Sequence, residues 1–367
     1  MSKRSFFFFL ISLVQYHIYG QTPTTPTIIF NNTDQPLTIG KSIAYLKDES
    51  SALTIDDIVK PATQKLFTRY DRPIFAEPAQ NGAYWFKFEL ENQTQVPLWL
   101  EVGSVYAWYV DFYRPGSTGQ YADVVKTGTF RSEASKEFPA NVFWLKLTGK
   151  SFQKMVYYLR IQTDTPLEVP LRIGSLQSLT KLKTINDFIT AGFVGVMLIL
   201  LVFSLFIYNN LRERIYLHYA GYLLASIFVL PFLNNYPFVQ RITLGGLLTP
   251  IDWWKYYLGW SSFIFLFITL FSVNFLRIKH YHPYFYRAIM ILFWATLLCS
   301  WSNFLGVTMA QISNPIQILT LSLYLSLFIA GILMSFKQQE NAYFYISAWF
   351  FTLSSAIIFV LAINGIL

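Results

Sequence analysis

Hydrophobic and polar positions alternate along much of the first half of the chain. Between Tyr84 and Leu90 every second residue is apolar or aromatic, and Trp85, Lys87 and Glu89 occupy the positions between. A period of two is typical of a half-buried antiparallel strand. Similar runs, separated by turn-forming residues, follow at 97–102, 108–113, 142–147 and 155–162. Several short strands of this kind predict an exported all-β domain, a jelly roll or β-sandwich, over residues 39–175.

The pattern changes near residue 185, where alternation gives way to long apolar runs. A run of about 20 residues crosses the hydrocarbon core of a bilayer as an α-helix. The fold class is therefore mixed, with the β domain followed by an all-α bundle of six membrane spans in residues 187–367. Residues 176–186 are predicted to be a linker, and the predicted spans are 187–208, 215–235, 254–276, 288–305, 316–336 and 342–362.

The N-terminus predicts export. Lys3 and Arg4 precede an apolar core from Phe6 to Val14, which is too short to span a bilayer and is typical of a cleavable signal peptide over residues 1–20. The Thr- and Pro-rich sequence that follows predicts a stalk over residues 21–38. The single cysteine, Cys299, lies in a predicted span, so the exported domain has no disulfide and depends on its own core.

Composition and charge favour a membrane protein and give it an orientation. The chain is 54% hydrophobic and 13% charged. Its net charge of +8 does not come from residues 21–180, which hold 16 basic and 16 acidic residues, so a nucleic-acid partner is not expected. By the positive-inside rule, the basic loops face the cytoplasm, and the β domain and the end of the last span lie outside. The basic residues of these loops are Arg212, Arg214, Arg277, Lys279, Arg287 and Lys337.

Several local sequences, taken in order, resemble a known family. In the β domain they include Tyr84-Trp-Phe-Lys-Phe-Glu-Leu-Glu-Asn92, Val110-Asp-Phe-Tyr-Arg-Pro-Gly116 and Pro170-Leu-Arg-Ile-Gly-Ser175, and the membrane half adds Phe206-Ile-Tyr-Asn-Asn-Leu-Arg-Glu-Arg-Ile-Tyr-Leu217. The chain resembles the bacterial seven-transmembrane receptors with diverse intracellular signalling modules. This resemblance implies a jelly-roll sensor similar to carbohydrate-binding modules, a receptor function, and a multi-pass location in the bacterial inner membrane with the sensor in the periplasm or outside.

The resemblance also implies parts that would follow the sixth span. Family members continue through a seventh helix into a cytoplasmic kinase, cyclase or transcription-factor module, whereas this sequence stops soon after the turn signal Asn364-Gly365. We therefore expect the output to pass through a separate cytoplasmic signalling protein. Two alternatives stay open: a transport or channel-like membrane protein with an accessory exported domain, and a truncated remnant that does not signal.

Aromatic side chains next to polar ones on the predicted strands indicate a ligand-binding surface. Flat rings stack on the apolar face of a sugar, and a few polar groups bind its hydroxyls. The alternative is that these tryptophans pack against other parts of the domain. The candidates for binding an extracytoplasmic small molecule or glycan are Trp85, Lys87, Trp99, Glu101, Trp144 and Arg160.

Catalytic, metal and ion-transport functions have less support in the sequence. Glu101 and Asp111 are candidates for a pair of hydrolytic carboxylates, but no nucleotide-binding or hydrolase motif accompanies them. His280 and His282 have no third ligand in their loop, so neither a metal nor a cofactor is expected. The few polar residues inside the predicted spans are mostly neutral, which is typical of hydrogen bonding between helices in a bilayer. We expect a protein that is not an enzyme.

Overall fold

A computed structural model of the chain describes residues 26–116, 120–149, 151–234, 236, 256–337, 340–364 and 366. The predicted signal peptide lies outside these residues. Within them, an all-β sandwich is followed by six helices that are long and apolar enough to cross a membrane. The predicted fold class and the predicted number of spans are therefore confirmed for the described part of the chain.

The sandwich is built from short strands, and the five strands predicted from alternation are all present. Their ends lie within two residues of the predicted ones. The strands are β1 (Ile28–Phe30), β2 (Leu37–Thr38), β3 (Ala44–Asp48), β4 (Thr68–Arg69), β5 (Phe75–Glu77), β6 (Ala83–Asn92), β7 (Leu98–Val102), β8 (Tyr109–Arg114), β9 (Asp123–Thr127), β10 (Phe143–Leu147), β11 (Lys154–Gln162), β12 (Leu167–Val169) and β13 (Leu171–Ser175).

Two main sheets face each other across the core. The first sheet has the order β4-β3-β6-β11-β8-β9, and β1 pairs in parallel with the second half of β6. The second sheet has the antiparallel order β10-β7-β13-β2. A short third sheet joins β5 and β12.

Alternation along each strand decides which side chains fill the space between the sheets. Phe86 and Phe88 of β6 and Leu100 of β7 point inward and have no exposed surface. Removing a large apolar side chain from water stabilises the fold by roughly 1.5–3 kcal/mol. The alternate residues of each strand point outward. Trp85 of β6 therefore lies on the outer face of the first sheet, and Trp144 of β10 lies on the outer face of the second.

Part of the predicted stalk belongs to the sandwich, and this prediction is corrected. β1 pairs with Leu90–Asn92 of β6, and Ile28 and Phe30 are buried in the core. β2 pairs with β13 at the edge of the second sheet. The alternation in Ile28–Phe30 is only three residues long, too short to identify as a strand in a Thr- and Pro-rich sequence. Three residues are nevertheless enough to add a strand to an existing sheet.

Within the described residues, the α-helices comprise six membrane-spanning candidates and three short segments. The predicted linker is also corrected, because one 36-residue helix starts directly after β13 and continues through the first span. The helices are α1 (Ile55–Ile58), α2 (Pro61–Gln64), α3 (Leu176–Leu211), α4 (Arg214–Leu233), α5 (Tyr257–Phe275), α6 (Ile278–Tyr281), α7 (Pro283–Trp301), α8 (Met309–Ser335) and α9 (Glu340–Ile363).

Small residues allow the membrane helices to pack closely. A Cβ atom on Gly221 of α4 would lie 2.5 Å from the ring of Phe267 of α5, and one on Gly331 of α8 would lie 2.7 Å from the ring of Tyr345 of α9. Close backbone approach of this kind is typical of helix pairs in a bilayer, where packing replaces the hydrophobic driving force. Large exposed side chains such as Phe188 on the outside of α3 then face the lipid.

Candidate functional site

The predicted ligand-binding residues lie on two opposite outer faces of the sandwich. The two groups are separated by the core, so the structure does not bring them together into one surface. The first sheet carries Trp85 and Lys87 on β6 and Arg160 on β11. The second sheet carries Trp99 and Glu101 on β7 and Trp144 on β10.

The outer face of the first sheet is closed by the segment that contains α1 and α2. Trp85 has no exposed surface, stacks on Tyr113 with ring centroids 5.4 Å apart, and packs with Ile58 of α1. Lys87 Nζ donates a hydrogen bond to Gln64 Oε1 of α2 at 2.6 Å, and burial lowers the pKa of Lys87. The prediction that Trp85 offers a ring to a sugar is therefore corrected, because residues of the domain itself bury the ring.

Arg160 belongs to a charged group on the same face. Its guanidinium lies 3.4 Å from Asp111 Oδ2, while Arg131 Nη1 donates to Asp111 Oδ1 at 2.6 Å. Asp111 is thus neutralised by two arginines and is largely buried. Because Glu101 lies on the opposite face of the sandwich, these two carboxylates are not arranged to flank one glycosidic bond.

The outer face of the second sheet is partly covered by the start of the first membrane helix. Trp144 is 1% exposed, stacks on Phe138 with ring centroids 4.6 Å apart, and packs with the fully buried Leu179 of α3. Its indole Nε1 donates a hydrogen bond to Glu101 Oε2 at 2.9 Å, and Arg172 Nη1 donates to Glu101 Oε1 at 2.6 Å. Glu101 is thus bonded within the second sheet, to side chains of β10 and β13. The prediction that Trp144 offers an open ring to a ligand is corrected, because the ring is buried beside the start of α3.

Helix α3 lies close to this sheet because a glycine stands at the point of contact. A Cβ atom on Gly174 of β13 would lie 2.8 Å from Ser178 Oγ and 3.3 Å from Leu179 Cγ. The helix begins at an N-cap, Ser175, whose Oγ accepts a hydrogen bond from the Ser178 amide at 3.1 Å. The end of β13 and the first turn of α3 consequently form one continuous, well-packed joint.

Trp99 is a predicted residue that borders an open groove. It is partly exposed, is paired in register with Lys146 of β10, and lines a groove of ≈ 720 Å³ between the second sheet and the start of α3. The helix contributes Gln177 and Thr180 to the same groove, and the chain before β2 contributes Thr33. The groove thus offers an aromatic ring, an ammonium group, an amide and the hydroxyls of Thr33 and Thr180, a set of groups that suits a polyhydroxylated ligand.

Sequence reasoning missed the helical side of this groove. Gln177 and Thr180 fall in the segment predicted as a linker, where polar residues carry no signal for a site. The signal that would have found them is the spacing of Leu176, Leu179 and Leu182, since apolar residues three apart are typical of one face of a helix. If the first helix is taken to begin at these leucines, Gln177 and Thr180 belong to its first turns, next to the last strand of the sandwich.

Further contacts join the sandwich to the outer ends of other helices. Asn141 Nδ2 donates a hydrogen bond to the carbonyl oxygen of Asn234 at 3.1 Å, where α4 ends. In the turn between β11 and β12, Asp164 lies near the start of α8 at Met309, and its Oδ1 atom is buried without a hydrogen-bond partner. Burial raises the pKa of Asp164 to about 6. α9 also contacts β5 and β12, so its last turns lie on the side of the sandwich.

Comparisons with known proteins follow the same division into two parts. Residues 40–175 match the family described as 7TMR-DISM extracellular 2. Residues 186–367 match the family described as 7TM diverse intracellular signalling. No curated protein matches the chain. The first match ends at the last residue of β13, so the first ten residues of α3, which include the groove residues Leu176, Gln177 and Thr180, lie between the two matched regions.

Proposed function

This chain belongs to the seven-transmembrane receptors with diverse intracellular signalling modules, and we propose that it binds a carbohydrate-like molecule in the groove beside Trp99 and transmits the signal through α3. It is a multi-pass membrane sensor with an extracellular N-terminal domain. One observation carries the rest of the proposal: the same groove is lined by the sensor domain and by the first turns of a membrane helix.

The chemistry of the groove supports a sugar or a related polyol as the ligand. Trp99 offers an apolar ring face, and Lys146, Gln177 and Thr180 supply hydrogen-bond donors and acceptors around it. Sugars combine apolar C–H faces with a ring of hydroxyls, so they need both kinds of group. The volume of ≈ 720 Å³ is large enough for more than one sugar ring.

The signal would pass through the contact between the second sheet and α3. A ligand shifts a conformational equilibrium only by binding one arrangement more tightly than another. A molecule that contacts both Trp99 and Gln177 favours arrangements in which sheet and helix keep one separation. Because α3 is a single helix from Leu176 to Leu211, a change in its tilt at the sandwich changes its position in the bilayer.

The proposal extends to the setting in which the receptor works. We place it in the bacterial inner membrane, exported by a signal peptide and carrying no catalytic activity of its own. A separate cytoplasmic signalling protein would bind the cytoplasmic ends of the helices, and its binding would depend on their positions. The basic residues where α3 ends and α4 begins, Arg212 and Arg214, offer contacts for it.

The test uses the full chain in lipid nanodiscs and a broad glycan array. We expect Trp99→Ala to weaken binding of an array ligand by at least about tenfold, and Gln177→Ala to weaken it less. Phe152→Ala is the matched control, since Phe152 is an exposed aromatic residue of the sandwich that is not part of the groove. Absence of any glycan ligand for the wild-type chain, or unchanged binding in Trp99→Ala, would overturn the carbohydrate proposal.

A second arm of the test examines transmission. Ligand binding should slow amide hydrogen exchange in the first turns of α3, which line the groove, in the wild-type chain. A ligand that binds without changing exchange in this segment would refute transmission through α3, while leaving the ligand assignment in place.

A further inference from the structure

We propose that a second site, separate from the groove, binds a small zwitterion carrying a primary ammonium group and an acidic group. The site is a cavity of ≈ 380 Å³ between the sandwich, α3 and the end of α4. It shares no lining residue with the groove beside Trp99. Its volume lies in the range of small-molecule pockets and exceeds what a single ordered water needs.

Each wall of the cavity carries one basic and one acidic side chain. On the sandwich wall, Arg172 Nη1 lies 2.6 Å from Glu101 Oε1. On the helix wall, Lys183 pairs with Asp187 one turn away, and Tyr236 donates a hydrogen bond to the other carboxylate oxygen of Asp187 at 2.7 Å. Arg172 and Asp187 keep about a third of their side-chain surface exposed, at 29% and 34%, so both can reach a ligand.

This distribution of charge selects the class of ligand. The cavity holds two positive and two negative groups, so a simple anion or a simple cation would leave a charge without a partner on entry. A zwitterion can place its acidic group near Arg172 and its ammonium group near Asp187, on the opposite wall. Every charge then remains paired, and the molecule bridges the sandwich and α3. Asn186 and Thr190 add neutral hydrogen-bonding groups to the helix wall.

Two sources supply this chemistry at the outer surface of a membrane. One is a free amino acid, and the other is the headgroup of an aminophospholipid. The cavity includes Ile189, which is 62% exposed, and the neighbouring Phe188 also faces outward where α3 enters the bilayer. A lipid headgroup therefore has a direct route to the site, and a free amino acid reaches it from the solvent.

The test uses the full chain in nanodiscs of phosphatidylcholine and phosphatidylglycerol, which present no primary ammonium group. Glycine, L-serine and L-glutamate are added as free probes, and phosphatidylethanolamine is added to the bilayer in a parallel series. Binding is measured by calorimetry for the free probes and by retained lipid, determined by native mass spectrometry, for the second series. Trimethylated glycine, acetate and methylammonium are controls that each lack one required group.

We expect either the free amino acids or phosphatidylethanolamine to bind, and the three controls to fail. Arg172→Gln and Asp187→Asn should each weaken binding by at least about tenfold. Lys183→Gln is a second helix-wall variant in case Asp187→Asn lowers expression. Trp99→Ala should leave zwitterion binding unchanged, so this proposal and the glycan proposal fail independently. Binding of neither source, or equal binding of trimethylated glycine, would overturn the inference.

Discussion

Both outer faces of the sandwich bury a tryptophan beneath a helix, but the two helices come from different parts of the chain. On the first sheet, Trp85 is covered by Ile58 of α1, which belongs to the sensor domain. On the second sheet, Trp144 is covered by Leu179 of α3, which continues into the membrane. The first face is therefore closed within the domain, whereas the second is shared with the bundle.

Both faces therefore contribute to stability, but only the second face can transmit a change to the membrane helix. Packing on either face contributes to the free energy of unfolding, since each buries a large aromatic ring. A rearrangement on the first face stays within the sandwich, whereas one on the second face moves a helix that spans the bilayer. The groove beside Trp99 opens on the second face, next to the start of α3. We therefore expect variants of the two faces to be similar in stability and different in coupling.

The largest effects are expected from the two tryptophans. Trp85→Ala and Trp144→Ala should each cost about 3–5 kcal/mol of stability, because each leaves a cavity under its covering helix. Trp144→Ala also removes the donor of a buried hydrogen bond to Glu101. Hydrogen exchange of the full chain in nanodiscs is the measurement. Exchange should increase in β6 and α1 for Trp85→Ala, and in β10 and the first turns of α3 for Trp144→Ala.

The contrast between these two patterns is the critical result. If Trp85→Ala loosened the start of α3 as much as Trp144→Ala does, the two faces would not be independent. The proposal that the signal passes only through the second face would then be rejected.

The covering leucine and isoleucine give a sharper comparison with a smaller perturbation. Leu179→Ala and Ile58→Ala each remove a fully buried aliphatic group and should cost about 2–5 kcal/mol. Leu179→Ala should abolish the ligand-induced protection of α3, because the helix no longer follows the sheet. Ile58→Ala is the matched control and should keep that protection. Loss of protection in both variants would indicate general loosening of the sandwich.

The strands β6, β7, β8, β10 and β11 and the six spans could be predicted because their signals are local. Alternation from Tyr84 to Leu90 identifies β6 without knowledge of its partners, and an apolar run of about 20 residues identifies a span by length. β1 could not be found in this way, since its three residues become a strand only through pairing with the end of β6. The start of α3 was hidden for a different reason, because its polar residues look like a linker until the leucine spacing is considered.

The candidate site was predictable only in part, because alternation gives the face of a side chain and not what covers that face. Trp85, Trp99 and Trp144 are all on outer faces as predicted. Segments remote in sequence decide that Trp85 and Trp144 are buried, and that Trp99 remains partly open. The cover over Trp144 comes from α3, more than 30 residues further along the chain, which no local pattern in β10 indicates.

The partly buried Asp164, where the sandwich meets the start of α8, should make the stability of the protein depend on pH. Burial raises the pKa of Asp164 from its usual 3.8 to about 6 where the turn meets the start of α8. The folded protein therefore binds a proton at Asp164 more tightly than the unfolded chain does, so its stability increases as pH falls from about 6 to about 4 and is constant above that range. The gain should be about 1–2 kcal/mol, because partial exposure reduces the full value of the shift.

Asp164→Asn is the test of this contact, since an amide stays neutral at every pH. The variant should lose the difference in unfolding midpoint between pH 7.5 and pH 5.0 that the wild-type chain shows in nanodiscs, after other acids are allowed for by comparison of the two curves. If Asp164→Asn keeps the full midpoint difference of the wild type, Asp164 is not the source of the pH dependence. The second face would then be left as the main connection between sensor and membrane.

The smallest effects are expected at the N-caps of the two covering helices. Thr54 caps α1 through a hydrogen bond with the Asp57 amide, and Ser175 caps α3 through one with the Ser178 amide. Replacing either residue by alanine should cost about 1 kcal/mol, because an amide at the start of the helix loses its acceptor. Thr54→Ala should leave ligand-induced protection of α3 unchanged, whereas Ser175→Ala should reduce it, since fraying at Ser178 separates the helix from Gly174 of the sheet. Equal protection in both variants would show that the first turn of α3 is not needed for coupling and that Leu179 alone maintains the contact.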